Sequence, residues 1–106
     1  MILTTTDTIA GKEIKKYLGI VTGTNYTINN AYKGLSFKDS LKLKKRLENY
    51  EKGLDDAKED AFQKLVANAT ALQANAIVGI KVDVENFGAN GYYTMISIVG
   101  TAVLVG

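Results

Sequence analysis

The sequence predicts an α+β fold in which one long helix packs on an antiparallel sheet, with strand-like runs both before and after the helix. Two observations carry this prediction. The middle of the chain repeats apolar residues at steps of three and four, the period of a helix face. Both flanks are rich in β-branched residues, with turn material between the last two runs. At 106 residues, 46% hydrophobic and 23% charged, the chain fits a single domain over 1–106, large enough to bury well over half of its unfolded surface.

"MILTTT" suits a short strand, and Gly11 in "IAGKEI" is placed to reverse the chain. The stretch 13–28, "EIKKYLGIVTGTNYTI", reads as a second strand. Ile14, Tyr17, Leu18, Ile20 and Val21 break strict alternation there, which predicts a bulge near Lys15-Lys16 or burial on both faces around Gly19. "NNAYKG" is a loop.

From Ser36 the period becomes helical: Leu43, Leu47, Tyr50, Leu54, Ala57, Ala61, Leu65 and Leu72 mark one face. Ser36 to Asp39 are expected to form a variant of the capping box at the helix start. Gly53 is a weak point where one helix could become two. Two strands follow, 75–87 and 92–106, joined by "GANG" as a hairpin. In the first, Val78, Ile80, Val82 and Val84 are expected on one face and Gly79, Lys81, Asp83 and Glu85 on the other. In the second, both faces are apolar: Ile96, Ile98, Ala102 and Leu104 on one, Met95, Val99, Val103 and Val105 on the other. One helical layer covers only one face of a sheet, so an oligomer is expected, with 92–105 in its subunit contacts.

Composition excludes several classes of function. Thirteen basic against eleven acidic residues leave a net charge of +2, which demands neither nucleic acid nor an anionic membrane as partner. The nearly apolar stretch 95–106 falls short of the roughly twenty residues a helix needs to cross a bilayer. "MILTTTDTIAG" has neither the basic nor the apolar region of a secretory signal, so a cytoplasmic chain is expected. The chain has no cysteine and no histidine, which removes disulfides and the Ser/His and Cys/His nucleophile pairs.

Asp83 and Glu85 are the candidate metal residues. Two apart on a strand, they put both carboxylates on one face with Cα atoms about 6 to 7 Å apart, an arrangement suited to a hard cation. A soft metal would find only Met1 and Met95, and Lys81 on the same face opposes positive charge. The plainer reading is a solvated strand face. The run "KLKKR" at 42–46 reads as a solvated helix face, and Gly19, Gly23 and Gly34 make no phosphate loop. Of the tyrosines, Tyr17, Tyr26, Tyr32, Tyr92 and Tyr93 could stack on a cyclic ligand at a subunit interface, Tyr92 and Tyr93 more in keeping with a hairpin or interface, whereas Tyr50 lies on the apolar helix face.

Four segments in order, "TTTDTIAGKEIKKYLGIVTG" (4–23), "YEKGLDDAKEDAF" (50–62), "ANAIVGIKVDVE" (74–85) and "GTAV" (100–103), resemble the YbjQ-like family, small bacterial and archaeal chains to which heavy-metal binding is ascribed. The resemblance covers most of the chain. It implies a β-α-β-β subunit like that of dodecin, assembled as a ring-shaped homopentamer. The chain departs from the family in three places: "LKKRLENYE" lacks the glycines expected around Arg46, Gln73 replaces a helix-capping glycine, and Lys81 stands where an acid is common. The expected function is a non-catalytic homo-oligomeric binding or scaffold protein with no cofactor beyond a cation or small ligand at subunit interfaces. The alternative is an enzyme using carboxylate or lysine chemistry at an intersubunit site.

Overall fold

The computed structural model describes residues 1–28, 43–89 and 93–106, with backbone alone at 43–50, and among the described residues the runs of β-branched residues on both sides of a helical repeat fold into four strands and one helix. The elements are β1 (Ile2–Leu3), β2 (Ile14–Ile28), α1 (Leu43–Ala71), β3 (Ala76–Phe87) and β4 (Tyr93–Val105). The expected cap at Ser36, the loop "NNAYKG", the second half of "GANG", and Tyr32 and Tyr92 lie outside the described residues, as do the side chains of Leu43, Leu47 and Tyr50. The sheet order is β1-β3-β4-β2. β4 pairs antiparallel with both β2 and β3, and β1 adds in parallel to the start of β3. The predicted α+β class is therefore observed, and the short strand expected in "MILTTT" is the two-residue β1, which adds a parallel edge to the otherwise antiparallel sheet.

β2 carries the predicted irregularity: its register with β4 shifts between Ile14 and Lys16, and again between Tyr17 and Gly19. A second irregularity falls in β3, between Val78 and Lys81. Gly79 there has φ 62°, a left-handed conformation that costs glycine little. The bulge moves Val78 to the opposite side from Ile80, Val82 and Val84. The expected common face for these four residues is thus corrected: Ile77, Ile80, Val82 and Val84 share the helix side, because they pair with Ala102, Ile98 and Ile96 or adjoin those that do.

α1 runs unbroken through Gly53. Its buried residues, Ala57, Ala61, Leu65 and Ala69, recur every four positions, and three are alanines. Small side chains let the helix axis come close to the sheet. A Cβ built on Gly23 would lie 2.0 Å from the Ala61 carbonyl oxygen, so glycine at 23 is required by that approach. Val21, Ile77, Ile80, Ile96, Ile98 and Ala102 complete this main core.

The helix packs chiefly on β2, less on β4 and little on β3. On its β2 flank, Lys64 Nζ donates to the Thr24 carbonyl at 2.9 Å and Asn68 Nδ2 to the Thr22 carbonyl at 2.8 Å. Two carbonyls of an edge strand are satisfied that way. At the other end of the helix Gln73 adopts φ 65°. The Ala74 amide donates to the Ala69 carbonyl and the Gln73 amide to the Thr70 carbonyl, at 3.1 and 2.9 Å. This is a Schellman stop, with glutamine where glycine is usual.

A smaller core sits on the opposite side of the sheet. Ala76, Val78, Val103 and Val105 are buried there, packed with Ile9 and Ile14. Val103 and Val105 had been expected to face a neighbouring subunit. They are instead covered within the chain, at 0% and 6% exposure, because the segment after β1 folds back over them.

Candidate functional site

Asp83 and Glu85 stand on β3 beyond the bulge, on the side of the sheet away from the helix. Residues paired across neighbouring strands share a face, so the register lays out this side row by row. Across β3, β4 and β2 the rows run Lys81, Val99, Thr22; Asp83, Ser97, Thr24; Glu85, Met95, Tyr26; and Phe87, Tyr93, Ile28. The surface is thus aromatic at one end and polar through its middle.

Lys81, Asp83 and Glu85 are all exposed, as the sequence predicted for a polar strand face. The structure brings Asp83 and Glu85 together with Ser97 and Met95 around a shallow depression of about 330 Å³. Its donors are two carboxylates, a hydroxyl and a thioether. Among the described residues no three Asp, Glu, His or Cys side chains converge to hold a metal ion. Carboxylate and hydroxyl oxygens suit hard cations, whereas a soft heavy metal favours thiolate or imidazole. The site chemistry therefore does not fit a soft metal within one chain.

Beside the depression lies an aromatic cluster. Phe87 stacks on Tyr93 with ring centroids 5.2 Å apart and 22° between planes, and meets Tyr26 edge-on at 6.1 Å and 70°. Both geometries are favourable for aromatic pairs. Two of the candidate tyrosines, Tyr26 and Tyr93, are thus both engaged with Phe87, while Tyr17 stands apart at 69% exposure. Phe87 was missed by sequence reasoning; its place in alternation with Asp83 and Glu85 was the available signal. Thr94, also unforeseen, is fully buried and donates to Asn86 Oδ1 at 2.8 Å.

Asn75, another residue without a sequence signal, extends the β3–β4 ladder through its side chain. Its Nδ2 donates to the Val105 carbonyl, and its Oδ1 accepts from the Val105 amide, both at 2.8 Å. The side chains of the basic run at 42–46 lie outside the described residues. Among the described residues no helix is long and apolar enough to cross a membrane.

Comparison with solved structures finds a protein of unknown function from Pediococcus pentosaceus ATCC 25745, assigned to the DUF74 family. It is 25% identical, superposes with a TM-score of 0.68, and the match covers 100% of this chain and 98% of that one. The fold is therefore shared over the full length. The family model described as "Putative heavy-metal-binding" matches residues 1–106, and the chain belongs to that YbjQ family.

Proposed function

We propose that the protein is a non-catalytic, homo-oligomeric binding or scaffold protein, assembled as a closed ring and taking a small ligand or hard cation at its subunit contacts. The observation that carries this reading is apolar exposure on both sides of the sheet. Val82 and Val84, on the helix side but beyond the reach of α1, are 42% and 51% exposed, and Ile20 on the opposite side is 77% exposed. Tyr26, Ile28, Phe87 and Val99 add to the second surface. Subunit contacts on these surfaces would remove them from water.

The chain's extent supports the same conclusion. Its accessible surface is 7195 Å², against about 5800 Å² for a compact monomer of this mass. Its radius of gyration is 17.8 Å, against about 13 Å for a compact domain of this length. Such an open subunit gains stability from neighbours. A count of five rests on the family resemblance. The preference for binding over catalysis rests on a sequence that contains neither histidine nor cysteine.

Light scattering of the native protein at micromolar concentration tests the assembly. A multiple of 11.5 kDa is expected, five-fold for the pentamer. A mass equal to one chain overturns the oligomer, and a dimer or trimer overturns the number five.

A further inference from the structure

The segment before β2 is held to the sheet chiefly through its backbone. Its main attachments are backbone hydrogen bonds along β3: the two-residue parallel ladder of β1, and around it Ile2 N to Asn75 O at 3.2 Å, Thr4 N to Ile77 O at 3.1 Å, Gly79 N to Thr6 O at 2.9 Å and Ile80 N to Thr4 O at 3.1 Å. Residues 1–3 and 5–8 are exposed, and the apolar contact is made by Ile9, packed against the smaller core.

The side-chain hydrogen bonds given by this segment stay within it. The hydroxyls of Thr4 and Thr6 lie 2.8 Å apart, the Thr6 amide donates to Thr4 Oγ1 at 3.2 Å, and Thr6 Oγ1 donates to the Thr8 carbonyl at 2.6 Å. They hold the segment's own shape and do not anchor it. It joins β2 through a tight turn in which the Lys12 amide donates to the Ile9 carbonyl at 3.1 Å and Gly11 takes φ 77° with open space around it. Glycine gives that turn freedom to reorient.

We propose that residues 1–9 form a strap that unlatches from β3 as one unit, turning about Gly11, while the sheet and helix remain folded. The short two-residue pairing of β1 and the exposed side chains place this opening at the low-stability end of the molecule. Ala76, Val78, Val103 and Val105 keep their contacts with one another when it opens, since all four belong to β3 and β4. Among the described residues no strand pairs with the outer edge of β3 beyond Ile80. Opening therefore leaves that edge, bulged at Gly79, unpaired among the described residues from Ala76 to Phe87. The closed strap guards half of a strand edge against addition of another chain.

Native-state hydrogen exchange on the intact protein, at increasing sub-denaturing urea, tests the strap. The amides of Thr4, Gly79 and Ile80 are expected to exchange together, at least about tenfold faster than those of Ile98 and Ala102, with little dependence on urea. Ile9→Ala is expected to speed the first group by about a further tenfold and leave the second unchanged. The strap is overturned if both groups exchange through the same urea-sensitive opening, or if Ile9→Ala speeds both equally. The result is independent of subunit number, because it compares amides within one assembled protein.

Discussion

Gln73 shows how one residue can occupy a position for which its side chain is ill suited. A non-glycine residue in the left-handed region carries a cost of roughly 1 to 2 kcal/mol, and the Schellman stop holds it there. Gln73→Gly is expected to stabilise the protein by about 1 kcal/mol, less the greater freedom glycine gives the unfolded chain, and urea unfolding should show a raised midpoint. Gly23 is the opposite case. A methyl group there would meet the Ala61 carbonyl and, at 2.9 Å, the Leu65 amide nitrogen, so Gly23→Ala is expected to lower stability by about 3 kcal/mol by the same measurement. Asp83 and Glu85 carry a third prediction. With hard donors alone beside one thioether, calorimetry with zinc, copper or cadmium should show no stoichiometric sub-micromolar binding. Such binding, lost in Asp83→Ala, would contradict this account of the site.

At the scale of the element, the helix was the most legible part of the chain. The step of four from Ala57 to Leu65 appears in the sequence and on the buried face alike. The sequence also marked Gly53 as a possible break, yet α1 continues through it. Packing against β2 compensates for its weak propensity. A Cβ at this position would meet Thr27 Oγ1 at 3.7 Å, an ordinary contact. Gly53→Ala should therefore stabilise the protein by about 0.5 to 1 kcal/mol, read as a higher thermal midpoint. The bulge in β3 was not legible. It depends on amides of Gly79 and Ile80 that turn toward Thr6 and Thr4, some seventy residues away in sequence, and no local pattern reports such a bond.

For the whole molecule, the choice of surface residue decides what a mutation tests. Val103 is fully buried beneath the strap, so Val103→Asp would place a carboxylate in an apolar core and unfold the chain. Ile20 is 77% exposed and makes the cleaner probe. Ile20→Asp is expected to reduce the mass seen by light scattering while far-ultraviolet circular dichroism stays unchanged. An unchanged mass would move the subunit contact off that side of the sheet and onto the Val82 and Val84 side.

The sequence by itself determined the strands, the buried helix face from Ala57 to Leu65, and the exposed acidic side of β3, because each follows from a short-range period, whereas Leu72, expected on that helix face, lies past the end of α1 and is 41% exposed. The sequence also pointed to apolar residues on both faces of β4. The tertiary structure decided how those faces are covered. The strap covers Val103 and Val105, the helix covers Ile96 and Ile98, and Val99 remains partly open. It likewise placed Phe87 between Tyr26 and Tyr93. Periodicity states which residues can be buried together, but coverage depends on where distant segments return to the sheet, and that is set by packing and long-range hydrogen bonds.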